Sequence, residues 1–164
     1  WMTLRESQRL TNETVANTAM AITIDVGDPN DLHPANKKPV GERLALLARA
    51  EVYGEDVIAS GPLIHSAKRM DDGRLRLMFR FSESGLRSGA TDGEKLGGFE
   101  LAGEDGVFVP AQAAIEGRNV IVWRDDIETH HVRYAWSPNP FPAANLYNRV
   151  GLPASPFSIK VEKF

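Results

Sequence analysis

Two periods divide the chain. Up to about residue 60 the apolar positions recur mainly at helical spacing, and from Ser60 onward they alternate. The opening "WMTLRESQRL" sets Trp1, Leu4 and Leu10, with Val15 beyond, among polar residues, a pattern that predicts a short amphipathic helix. "AMAITIDVG" alternates, with Ile22, Ile24 and Val26 on one face and a glycine at its end, and predicts a strand of about seven residues. "KPVGERLALLARAEVYGED" returns to the helical period through Val40, Leu44, Leu47 and Ala48, with Pro39 suited to a first turn and Gly54 to a stop.

Beyond "SGP" at 60–62 the pattern is one of short strands. "RLRLMFRF" alternates Leu75, Leu77, Phe79 and Phe81 with Arg74, Arg76, Met78 and Arg80. Further strands are predicted at "GGFELAG", "GVFVPAQAAI", "NVIVW", "HHVRYAW" and "FSIKVEKF", separated by the turn signals "MDDG", "GEDG" and "EGRN". Short strands spaced by turns predict an antiparallel β-sandwich over 61–164, preceded over 1–60 by a helix–strand–loop–helix unit of α/β type.

Composition narrows the function classes. Of 164 residues, 42% are hydrophobic and 25% charged, enough to bury a core. The net charge of −3 and the lack of a basic cluster argue against nucleic acid as a partner. With no cysteine there is no thiolate nucleophile and no Cys-based zinc site. No apolar run approaches the roughly 20 residues that span a bilayer, so no membrane partner is expected. The abrupt start in a helical pattern at Trp1 suggests a fragment or a processed chain.

Candidate chemistry gathers in "GDPNDLHPANK", residues 27–37, between the predicted strand and the second helix. Loops at the carboxyl ends of strands are where α/β folds hold reactive groups. An imidazole there, at His33, can take a proton from a nucleophile and return it to a leaving group if a carboxylate holds its other ring nitrogen, and Asp31 and Asp28 are both near enough to serve. The same residues also read as turn formers and helix caps beside a solvated His33. A metal is not expected: the remaining histidines are His65, His130 and His131, and neighbours on a strand point to opposite faces. No Gly-x-Ser-x-Gly elbow occurs, and the serines of "FSESG", "IASGP" and "PASPF" do not sit in strand-to-helix turns. If His33 is a general base, its serine lies elsewhere.

Taken together, "DVGDPNDLHPANKKPVGERLALLARAEVYG", "GFELAGEDGVFVPAQAAI" and "VRYAWSPNPFPAANLYNRVGLPASPF" resemble the C-terminal part of the sialate O-acetylesterase family of SGNH-type serine esterases, which includes relatives acting on plant polysaccharides such as xyloglucan and xylan. The resemblance implies an SGNH α/β/α catalytic domain whose last part is residues 1–60, followed by the sandwich as an accessory domain. It implies a nucleophilic serine on an N-terminal portion, in a Gly-Gln-Ser-Asn type block that this chain lacks. The family's catalytic His matches His33. The general pattern places the acid three residues earlier, where this chain has Asn30, so the orienting role falls to Asp31, with Asp28 in reserve. Acetylated carbohydrate is the implied substrate, a secreted or periplasmic setting is implied, and no cofactor is. Arg133, Tyr134, Trp136, Asn145, Tyr147 and Asn148 suit either a sugar surface or packing between the two units, and Trp123 reads as core. The rival reading is a carbohydrate-binding β-sandwich module without catalysis of its own.

Overall fold

A computed structural model describes residues 1–89 and 94–162. Among them the chain forms two helices, α1 (Met2–Thr14) and α2 (Lys38–Glu51), followed by ten strands. The strands are β1 (Leu63–Arg69), β2 (Leu75–Arg80), β3 (Leu86–Ser88), β4 (Phe99–Ala102), β5 (Phe108–Pro110), β6 (Gln112–Glu116), β7 (Asn119–Trp123), β8 (His131–Tyr134), β9 (Leu146–Asn148) and β10 (Phe157–Lys160). All named ladders are antiparallel. One four-stranded sheet runs β1-β2-β7-β6, another β10-β8-β4-β5, and β3 pairs with β9.

The alternation of β2 does what a period of two requires: Leu75, Leu77 and Phe79 are buried while Arg80 faces water. Leu75, Leu77, Val120 and Val122 of the first sheet share a single apolar cluster with Leu101, Val132, Tyr134 and Phe157 of the second. Phe157 is the joint. Its ring meets Phe79 edge-on at 6.2 Å and stacks on Tyr134 at 5.9 Å, arrangements that add to simple area burial.

Several expectations change. "GVFVPAQAAI" is two strands in two sheets: β5 pairs with β4, its last bond running from Ala111 N–H to Phe99 O at 3.0 Å just beyond Pro110, and β6 pairs with β7. β1 was invisible to alternation because its register shifts between Ile64 and Ser66, which puts two buried residues side by side at each end of the irregularity. Trp123 ends β7 half-buried rather than in the core. Of the run 157–164, β10 takes 157–160, and Lys163 and Phe164 lie outside the described residues.

The largest difference lies at 20–26, which is not a strand. Ile22 and Ile24 are buried, as their alternation requires, but no described strand lies beside the segment to pair with it. Alternation identifies the buried side chains; a ladder needs a neighbour as well. α1 also departs from its expected orientation. Its buried residue is Arg9, paired with Glu6 at 2.7 Å and Glu13 at 2.8 Å, and Arg5 donates to the carbonyls of Ser137 and Pro138 at 2.9 Å each. Trp1, Leu4 and Leu10 face outward.

The connector 59–62 links the helical part to the sheets through close backbone contact. Asn148 Nδ2 donates to Ser60 O at 3.0 Å, Ser155 N–H donates to Pro62 O at 3.0 Å, and a Cβ on Gly61 would stand 1.8 Å from the Pro153 carbonyl oxygen. Only glycine fits that approach. Gly61→Ala is therefore expected to lower unfolding free energy by about 1–3 kcal/mol or more, through backbone displacement, in a denaturant titration. An unchanged midpoint would show that the 152–155 loop yields freely.

Candidate active site

Residues 27–36 form an exposed loop in which Pro34 alone is half-buried. Short side chains shape it. Asp28 Oδ1 accepts the Asn30 N–H at 2.8 Å, Asp31 Oδ1 accepts the His33 N–H at 2.7 Å, and the Asp31 N–H donates to Asp28 O at 3.3 Å. These are turns made by Asp side chains on the backbone two residues ahead. Asp28, Asp31 and His33 are thus brought into one solvent-facing loop, and the carboxylate two residues before the histidine is tied to that residue's own amide. The turn-forming reading of the aspartates describes these bonds. It does not compete with an imidazole acting on a partner placed above the loop, because each carboxylate commits one oxygen to the backbone and retains a second.

The stem of the loop is built differently. Asp25, just before the loop, meets Arg43 on the second turn of α2 in a two-pronged pair, Nη1 to Oδ1 at 2.6 Å and Nη2 to Oδ2 at 2.7 Å, with side chains 10% and 11% exposed. Arg43 Nη1 also donates to Ile22 O at 2.6 Å. Behind the pair, the Tyr147 hydroxyl lies 3.5 Å from Asp25 Oδ2, and the Arg87 guanidinium sits 5.2 Å from the Tyr147 ring centre. Sequence reasoning missed this cluster: Asp25 takes a polar-face position of the alternating "AITIDV", where a charge draws no notice, and only Arg43, at core spacing between Val40 and Leu47, carries a signal.

The other polar and aromatic candidates pin the β-rich part together. Tyr134 is fully buried, and its hydroxyl accepts the Leu146 N–H at 2.8 Å. Asn145 Oδ1 accepts the Gly97 N–H at 3.0 Å while its Nδ2 donates to Lys95 O at 3.0 Å. Asn148, wholly buried, donates to Ser60 O and to Phe81 O and accepts the Leu152 N–H. Arg133 forks onto Glu100 and lies 3.9 Å over the Phe108 ring. Trp136 is half-buried. Among the described residues no cluster of three His, Asp or Glu side chains could hold a metal ion, and no helix is long and apolar enough to cross a membrane.

No family model matches the chain. No curated protein matches it either. Among solved structures it is similar to a carbohydrate acetylesterase from Xanthomonas citri, with a TM-score of 0.88 and 45% identity over 97% of this chain. The chain is related to a carbohydrate acetylesterase. It spans 36% of that protein's chain, so the relation covers about a third of the acetylesterase and nearly all of this sequence.

Burial pushes the Tyr147 phenol up to about 12, and the Asp25 carboxylate reinforces the shift. The folded chain keeps this proton where an unfolded one loses it. Stability contributed by the phenol is therefore complete below about 10 and is lost as pH rises through about 12. Alkaline titration of tyrosinate absorbance should show a component near 12 that Tyr147→Phe removes and Asp25→Asn moves downward. A Tyr147 ionising near the ordinary phenol value would mean that the cluster behind the loop is open to water.

Proposed function

We propose that the chain is the C-terminal part of a serine carbohydrate O-acetylesterase of the SGNH type and the sialate O-acetylesterase family, in which residues 1–60 complete the α/β/α catalytic domain and residues 61–164 form an accessory β-sandwich. The observation that carries the reading is the end-to-end similarity to a carbohydrate acetylesterase at 45% identity. The exposed loop bearing His33, Asp31 and Asp28 agrees with it, since an imidazole offered to solvent can meet a nucleophile supplied from outside the chain.

In this mechanism His33 takes the serine proton as the oxygen attacks the acetyl carbonyl, then gives it to the departing sugar hydroxyl, leaving an acetyl-serine. Water attacks that ester with His33 again as base; acetate leaves and the serine is restored. Asp31 holds the ring, with Asp28 in reserve. Oxyanion donors belong to the serine-bearing portion. The exposed Leu4, Leu10 and Leu44 support a divided arrangement, because an α/β domain would cover such helix faces with further elements.

In the chain joined to its serine-bearing portion, His33→Ala is expected to lower kcat by about 10⁴-fold with the fold intact, and Asp31→Asn to cost more than Asp28→Asn. More than a tenth of parental turnover in His33→Ala would remove His33 from the mechanism. Acetyl esters should be cleaved far faster than octanoyl esters, as a shallow acyl site offers a long chain little apolar surface. The 164 residues alone should release no acetate and take no label from a serine-directed phosphonate. A label on one of this chain's own serines would contradict the divided site.

A further inference from the structure

We propose that the Arg43–Asp25 pair, backed by Tyr147, is a positioning clamp for the His33 loop. Among the described residues, every hydrogen bond of residues 27–36 runs to another residue of the loop or to Lys37. The loop is also almost entirely exposed, with Leu32 at 84% and Pro34 alone half-buried, so no side chain of it is buried in the body. What places it on the body is its stem. Asp25 closes the incoming side and Arg43 the outgoing side, and the fork of two short bonds sets their separation and relative orientation together. The third bond, to Ile22 O, extends the hold along the incoming segment, and Tyr147 connects it to β9.

The chemistry of the pair favours positioning over stability. Both charges are largely withdrawn from water, and their mutual attraction offsets that cost without a reliable surplus over an apolar pair of the same size. An apolar pair would pack, yet it would not dictate the distance between the two stems. For a histidine that must meet a serine from elsewhere within hydrogen-bond reach, that distance matters: a misplacement of about 1 Å costs roughly 10²-fold in rate.

The catalytic consequence rests on the esterase reading of His33; the clamp itself does not. The test uses the double variant Asp25→Leu/Arg43→Met, in the chain joined to its serine-bearing portion. Because the sequence has no cysteine, nitroxide labels can be placed at Ala35→Cys on the loop and Val107→Cys on the β-rich part without background labelling from this chain. The variant is expected to melt at or above the parental temperature, while the loop-to-body distance distribution broadens about twofold and kcat falls roughly 10²-fold with KM changed little. A merely structural pair would leave the distribution and kcat alone in a stable double variant. Arg43→Lys keeps the charge without the fork, should show the same changes to a smaller degree, and serves if the double variant does not fold. A distribution as narrow as the parent's in either folded variant overturns the clamp, whatever the activity. Broadening with unchanged kcat upholds the clamp and removes His33 from catalysis instead.

Discussion

The contact between the Arg43 guanidinium and the Asp25 carboxylate is the constraint on which the candidate site depends. It joins a segment with no ladder to a helix that buries only Arg43 and Leu47, and through Tyr147 it reaches β9. Removing one partner would strand a largely buried charge, a loss on the order of 3–5 kcal/mol for such pairs, whereas replacing both with apolar side chains is often neutral. The pair is therefore a specifier of geometry. It decides where a chain that lacks regular structure enters and leaves an exposed loop.

The β-rich part supplies the fixed end of that arrangement. Asn148 satisfies carbonyls from the connector and from the end of β2 while its own oxygen accepts the Leu152 amide, so one buried side chain ties three stretches of backbone. Tyr147 is its neighbour on β9 and extends the same strand to Asp25. Rigid core, strand β9, Tyr147, Asp25 and loop form a continuous path from packing to chemistry, and each link is a contact between named groups.

Much of the fold could be read from the chain because local signals agreed with tertiary demand. β2 stands where alternation placed it, β7 where the short run "NVIVW" after the turn signal "EGRN" did, and α2 begins at Lys38 with Pro39 in its first turn. The failures share a cause, which is that pairing is not a local property. The segment at 20–26 has strand alternation without a neighbour, β1 has neighbours with its alternation broken by a register shift, and one apparent strand around Pro110 is shared between two sheets because its two halves find different partners. The loop was legible from its turn residues. The reading of His33 was not: spacing alone leaves it between a general base and a solvated turn histidine, and only a resemblance favours the former. Asp25 and Arg43 were hidden because periodicity counts apolar residues: Asp25 falls on the polar face of its segment, and a lone charge at the core spacing of α2 registers as noise.

The central claim is that His33 serves as the proton carrier for a serine outside this chain. It is tested most directly by the structure of the chain together with a serine-bearing portion, trapped as a phosphonate adduct. The account predicts His33 Nε2 at about 2.6–3.2 Å from the modified serine oxygen, with an Asp31 or Asp28 carboxylate oxygen on Nδ1. An adduct in which the serine faces another histidine, with the 27–36 loop turned out to solvent, would contradict it.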